Sequence, residues 1–272
     1  MNSLRAAHQW PVGAVAVAAV DSTGVVDDQG SQDRPFRLAS VTKLLSAYAV
    51  LLAVQEGALE FDQPAGPPGA TVRHLLAHAS GMAFDTPRCV VTPGARRIYS
   101  NAGFEALAAT LESCSGITFS DYLADGVLRP LGMSSTRLAG TAAAGAVSTC
   151  ADMARFATEL QAPQLLAPAI LAEATRVAYP GLDGVLPGYG MQRPNDWGLG
   201  VELKGHKSPH WTGSRNSPGT FGHFGQSGTF LWVDPAAGLA CIALTDRDFG
   251  PWAREAWPPF TDGVLAQVSE VP

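Results

Sequence analysis

Residues 40–54 read Ser-Val-Thr-Lys followed by a run that is apolar apart from Ser46 and the hydroxyl of Tyr48. Residues 40–55 predict one helix, closed by Gly57, which accepts the left-handed conformation that ends a last turn. Lys43 shares a stripe with Ala47, Val50 and Val54, while Leu44, Leu45, Tyr48 and Leu52 make the other sides apolar. A helix apolar all round is buried all round, so the rest of the chain has to wrap it. Its lysine goes into the core with it, and a buried ammonium needs a partner or a lowered pKa.

Positions three apart on a helix are neighbours, which lets the Lys43 amine reach the Ser40 hydroxyl. In a first turn the helix dipole favours an alkoxide and disfavours a second cation. Both effects push Lys43 toward a neutral, proton-accepting amine and Ser40 toward a nucleophile. An isolated S-x-x-K is commonly an N-capping serine and a surface lysine. The apolar surroundings argue against that here. The chain has three lysines, Lys43, Lys204 and Lys207, against fifteen arginines, and no second S-x-x-K.

At 272 residues the chain can bury a full core, as one large domain or two interleaved lobes. Its 46% hydrophobic and 15% charged residues suit a soluble globular protein, and 29 Gly with 20 Pro imply many turns. A net charge of -6 without a basic run argues against a nucleic-acid partner. No apolar stretch approaches the length of a membrane span. Residues 11–20, behind Arg5, have the look of a short signal-peptide core. Valines at 15, 17 and 20, the Asp21-Ser22-Thr23-Gly24 turn and Val25-Val26 read better as a strand hairpin, so a cytoplasmic protein is expected. Cys89, Cys114, Cys150 and Cys241 have neither C-x-x-C nor metal-ligand spacing and read as free, mostly buried thiols. No cofactor or metal is expected, and nothing specifies an oligomeric state.

Residues 62–69, rich in Pro and Gly, make a rigid exit from the first α/β segment. Thr71 then caps a helix through Val72, Leu75 and Leu76, ending at Ser80-Gly81. His74 and His78 lie four apart on it, but without H-E-x-x-H or a third ligand they predict structural hydrogen bonds. Helices are expected over residues 103–113, from Phe119 to Leu128, and through Met153, Phe156 and Leu160 behind a cap at Ser148 or Thr149. Residues 179–200 read as loop. Strands follow at residues 197–203 and in a hairpin of residues 230–233 and 239–245, with a closing helix over residues 252–268. The polar stretch 204–215, with Lys207, His210 and Trp211, reads as a solvated loop or a pocket rim. The expected organisation is an α/β lobe from residues 1–60 and 197–272, with residues 61–196 inserted as a mainly helical lobe.

Three pieces fall in order: Ser40-Val41-Thr42-Lys43, Tyr99-Ser100-Asn101 and His223-Phe224-Gly225. Together they resemble the penicillin-recognising serine hydrolases, whose elements are S-x-x-K, Y-x-N and K-T-G, the last often H-x-G in the class C-like esterase and peptidase branch. Leu75-Leu76-Ala77-His78-Ala79-Ser80-Gly81, Pro130-Leu131-Gly132-Met133 and the phrase from Gly222 to Thr229 resemble that branch too. The resemblance implies an α+β, β-lactamase/transpeptidase-like fold, an antiparallel sheet flanked by helices with the inserted helical lobe, and a site between the two lobes.

By the same resemblance Ser40 forms an acyl-enzyme, and Lys43 and Tyr99 share its proton: a phenol near an ammonium has a lowered pKa, and either a tyrosinate or a neutral lysine can act as the base of acylation. Asn101 holds Lys43 and the bound acyl group. The backbone amides of Ser40 and Gln226 form the oxyanion hole beside Gly225, and His223 helps position Tyr99. Trp211-Thr212-Gly213 mimics the third motif, but its continuation Ser214-Arg215-Asn216-Ser217-Pro218-Gly219 cannot be a core strand. Phe224 stands where many β-lactamases carry a hydroxyl for the substrate carboxylate, and Gln226 replaces a small residue. No E-x-x-L-N segment is present, which favours a Tyr99-centred, class C-like mechanism, and the chain is shorter than typical class C enzymes. The expected activity is cleavage of small esters or amides through acyl-Ser40. The alternatives are a β-lactamase or D,D-carboxypeptidase, an acyltransferase, and a non-catalytic binding module on the same fold.

Overall fold

The computed structural model describes residues 3–268. The chain runs β1 (Val15–Asp21), β2 (Gly24–Gly30), β3 (Phe36–Arg37), α1 (Thr42–Gln55), α2 (Val72–Leu76), α3 (Asn101–Ser115), α4 (Phe119–Leu123), β4 (Arg137–Leu138), β5 (Ala146–Ser148), α5 (Cys150–Gln161), α6 (Pro168–Ala174), β6 (Gly184–Leu186), β7 (Gly190–Gln192), β8 (Glu202–Leu203), β9 (Phe221–Gly225), β10 (Thr229–Asp234), β11 (Leu239–Thr245) and α7 (Pro251–Val268). The apolar helix is α1, entered through a 3-10 turn at Ala39–Val41 and left at Gly57 with φ +76°. Every residue from Thr42 to Ala53 is buried. Each fully buried leucine or valine there contributes about 1.5–3 kcal/mol relative to exposure.

Six strands form one antiparallel sheet in the order β2-β1-β11-β10-β9-β8. The two ends of the chain meet at its centre, Val15 opposite Thr245 and Val20 opposite Ala240. Alternation along the strands splits the core in two. Ala16, Ala18 and Val20 of β1 join Ile242 and Leu244 of β11 in the cluster around α1, while Val17 and Ala19 join Trp257 and Phe260 of α7. The arrangement is the one the resemblance implies, an antiparallel sheet covered by helices on both faces. Helix α5 packs directly on β1 and β11 although it lies far along the chain from both. Thr71, Ser100, Thr118 and Thr149 each cap a helix by accepting from a backbone N–H of its first turn. Among the described residues no helix is long and apolar enough to cross a membrane.

Two local expectations need correction. Helix α2 stops at Leu76, and His78 takes φ +53°, so His74 and His78 do not share a helix. His74 bonds Thr71 and stacks on Tyr179, whereas the buried His78 accepts from the Ser100 N–H. Residues 207–212 are not a solvated loop: Lys207, His210 and Trp211 are buried around Glu202 of β8. The Glu202 carboxylate pairs with the Lys207 ammonium and accepts from His210 Nε2 at 2.9 Å and Trp211 Nε1 at 2.7 Å.

Burial alone would raise the Glu202 carboxyl, but His210 and Lys207 hold it down, to about 2. Burial pulls the Lys207 ammonium down, and Glu202 offsets part of that. Removing one partner of a buried pair leaves the other charge uncompensated. Lys207→Met is therefore expected to cost about 3–5 kcal/mol in urea unfolding. Because the folded Glu202 titrates below its ordinary 4.5, its contribution is present above that pH and is lost as pH falls from there toward 2. The acid-unfolding midpoint of Lys207→Met should lie at higher pH than that of the wild type.

Candidate active site

Ser40 lies in the 3-10 turn before α1, and the residue before it, Ala39, is held at φ +45°, a conformation L side chains rarely adopt. The turn is fastened to the sheet at two points: Ser227 Oγ donates to the Arg37 carbonyl at 2.6 Å and Thr229 Oγ1 to the Leu38 carbonyl at 2.9 Å. Gly225 ends β9 against the same turn. A Cβ there would sit 2.4 Å from the Leu38 oxygen and 3.2 Å from the Ala39 Cβ, so only glycine permits this approach.

One helical turn on, Lys43 is fully buried, with Nζ 3.3 Å from Ser40 Oγ, 2.7 Å from Asn101 Oδ1 and 2.9 Å from the Ala143 carbonyl. Burial lowers its pKa to about 7 against the opposing pull of Glu105 and Asp85. A neutral amine has two N–H groups and one lone pair. Two of the three neighbours are carbonyl oxygens that can only accept, so they take both N–H groups and leave the lone pair for Ser40.

Tyr99 ends the segment that Arg97 anchors by donating to the backbone carbonyls of Ala77, Ala178, Tyr179 and Asn195. Its hydroxyl donates to Ser40 Oγ at 2.7 Å and lies 3.4 Å from His223 Nε2. The expectation of a lowered phenol pKa is overturned: Tyr99 is half-buried in the cavity wall, and desolvation raises it above its ordinary 10. His223 on β9 uses Nδ1 to donate to the Phe224 carbonyl at 2.6 Å, and burial pushes its pKa down to about 3. It is a neutral imidazole with Nε2 as acceptor.

These groups open into a cavity of about 370 Å³ walled by Phe84, Leu186, Pro187, Trp197 and Phe224. Ser40, Tyr99, Asn101, His223 and Gln226 line it, with Lys43 buried behind Ser40 and Gly225 against the Ser40 turn. The Gln226 side chain donates to the Phe249 carbonyl at 3.3 Å. Glu202 is the one ionised side chain in the lining, and it is already paired.

Sequence reading missed several of these groups. The Ala143 carbonyl is backbone and carries no side-chain signal; Glu105 fixes it by accepting from the Ala143 N–H at 2.8 Å. Asp85, which accepts from Asn101 Nδ2 at 2.8 Å, lies on a loop with no pattern. Leu186 and Pro187 come from the β6–β7 hairpin, within a stretch read as irregular. Its signal was Gly188 with Gly190 between short apolar runs.

Residues 5–265 match the Beta-lactamase family. The chain belongs to that family. A beta-lactamase from Mycobacterium bovis is 54% identical, with a TM-score of 0.97 over 98% of this chain and 99% of that one. Simvastatin synthase from Aspergillus terreus shares the fold at 18% identity, with a TM-score of 0.82 over 98% of this chain and 94% of that one. Penicillin-binding protein 4* of Bacillus subtilis (strain 168) is 28% identical over 38% of this chain and 30% of its own length. Esterase EstB of Burkholderia gladioli is 31% identical over 44% of this chain. That match takes in 33% of the esterase, so the chain spans about a third of each of these two curated relatives.

The hydrogen bonding of this beta-lactamase-family site fixes one tautomer. Long-range ¹H–¹⁵N spectra should show His223 as the neutral Nδ1–H form from pH 5 to 8, as a group with a pKa of about 3 requires. A signal that moves to the doubly protonated form near pH 6 would contradict the assigned hydrogen bonds.

Proposed function

We propose that the protein is a serine hydrolase cleaving small esters or amides through an acyl-Ser40 intermediate, with Lys43 as the base of acylation. The observation that carries this is the Lys43 amine, buried beside Ser40 with both N–H groups directed at carbonyl oxygens. The Ser40 proton passes to the Lys43 lone pair as Oγ forms its bond to the substrate carbonyl carbon. The carbonyl electron pair moves onto its oxygen, for which the backbone amides of Ser40 and Gln226 are the proposed donors. As the tetrahedral intermediate collapses, the leaving oxygen or nitrogen takes a proton from Tyr99, which recovers one from Lys43. Water then attacks the acyl carbonyl and passes a proton through Tyr99 to Lys43; as the second tetrahedral intermediate collapses the carbon–Oγ bond breaks, the acid leaves and Ser40 Oγ takes that proton from Lys43.

Since burial keeps Tyr99 a phenol at neutral pH, this is a lysine-based variant of the class C-like scheme, with tyrosine as the relay. Asn101 holds the amine, and His223 Nε2, 3.4 Å from the tyrosine hydroxyl, is the alternative acceptor for its single proton.

A β-lactamase is the second reading, favoured by the name of the Mycobacterium bovis relative. It ranks lower because no lysine or arginine lines the cavity to receive a substrate carboxylate. Free thiols at all four cysteines, two of them exposed, fit a reducing compartment, and we place the protein in the cytoplasm.

Incubation with p-nitrophenyl butyrate followed by intact mass measurement should show a butyryl adduct in the wild type and none in Ser40→Ala. The wild-type kcat/KM should rise with pH through about 7 as Lys43 loses its proton. Tyr99→Phe should lower kcat by roughly 10²–10⁴-fold while stability is kept. Undiminished turnover in Ser40→Ala would remove the proposal, and nitrocefin turned over as fast as the ester would promote the second reading.

A further inference from the structure

Asp85 lies outside the Ser40, Lys43 and Tyr99 group but meets it through a single amide. It sits on the turn between Met82 and Cys89, whose backbones pair across it. The Phe84 carbonyl accepts from the N–H groups of Asn101 at 2.7 Å and Ala102 at 3.1 Å, which clamps this turn to the start of α3. From there Asp85 Oδ1 accepts from Asn101 Nδ2 at 2.8 Å. A carboxylate cannot accept from the amide oxygen, so Asp85 decides the amide's orientation: Nδ2 outward, Oδ1 inward to the Lys43 amine at 2.7 Å.

The second consequence is charge. Asp85 is exposed, and among the described residues no Lys, Arg or His forms a salt bridge with it. Its neighbours Phe84 and Asn101 are part of the cavity wall, where Glu202 is paired, His223 is neutral and no lysine or arginine is present. A substrate carboxylate on the Phe84–Asn101 side of the cavity therefore meets the Asp85 charge just beyond that wall, with no lysine or arginine in the lining and only the buried Lys43 behind Ser40 to oppose the repulsion.

We propose that Asp85 is a positioning and specificity-determining residue, its carboxylate turning Asn101 toward Lys43 and repelling acyl donors that carry a carboxylate, so that the site takes neutral ones. This rests on the hydrolase reading above for the identity of the donor as an ester. The groups acting on Lys43 are Glu105 of α3, Asp85 of the 82–89 turn, Tyr99, His78 and His223 of β9. Of these, Glu105 and Asp85 favour the ammonium. Removing the Asp85 charge moves the Lys43 titration to lower pH.

Asp85→Asn keeps the acceptor oxygen and removes the charge, whereas Asp85→Ala removes both. The kcat/KM values for p-nitrophenyl butyrate and for the anionic p-nitrophenyl hemisuccinate should be compared over pH and salt. In Asp85→Asn the hemisuccinate-to-butyrate ratio should rise about three- to tenfold, and the rising limb of the pH profile should move to lower pH. Added salt should raise that ratio in the wild type and much less in Asp85→Asn. Asp85→Ala should in addition lower kcat for both esters.

In a Ser40→Ala background, where no acyl-enzyme forms, quenching of Trp197 fluorescence reports binding alone. There Asp85→Asn should tighten the hemisuccinate by the same factor and leave the butyrate unchanged. An unchanged hemisuccinate affinity in that background overturns the role of Asp85, whether or not the wild type acylates. A wild type that binds with the Asp85-dependent preference yet never forms acyl-Ser40 instead overturns the hydrolase reading and leaves this one standing.

Discussion

An amine shut away from water and facing two carbonyl oxygens has one economical state, the neutral one, with its lone pair directed at whatever remains. At Lys43 what remains is the Ser40 hydroxyl. Desolvation is the largest influence on this group, and the acids Glu105 and Asp85 oppose it, which leaves its pKa at about 7. The same burial acts with opposite sign on Tyr99 and keeps its proton on. One low-dielectric pocket therefore sets a base and an acid side by side, poised for proton transfer at neutral pH.

The scaffold serves that pair through backbone more than through side chains. The Ser40 turn is pinned by hydroxyls of Ser227 and Thr229 to carbonyls before it, with Gly225 clearing the space. Ala143 is held through its N–H by Glu105 of α3, and Asn101, at the start of the same helix, is held by Asp85. Helix α1 delivers Lys43 from inside the larger core cluster, so the amine has no solvent route of its own. Each of these devices places a group that holds Ser40 or Lys43.

The parts of this arrangement visible in the sequence are those that side-chain type and spacing encode. The all-apolar helix with one lysine, the β1–β2 and β10–β11 hairpins, and the three short motifs were all legible, because period, turn residues and a three-residue offset each have a local physical cause. His78 was misplaced because a left-handed residue after α2 leaves no mark in composition. Lys207 and His210 looked solvated one at a time. They are buried because both pair with Glu202 at a sheet edge, a relation that single-residue polarity does not carry. The Tyr99 pKa was misjudged because the pull of an ammonium was weighed and the desolvation of the phenol was not, whereas the burial that lowers the amine also raises the phenol.

The protonation state of Lys43 is the point on which the account stands, and the composition makes it directly measurable. With only three lysines in the chain, ¹³Cε-lysine labelling gives three resonances, assignable by Lys204→Arg and Lys43→Ala, with Lys207 by difference. The Lys43 signal should titrate near pH 7 in the free protein. A Lys43 resonance that stays in its ammonium position up to pH 10 would contradict the neutral base, and with it the chemistry assigned to Ser40.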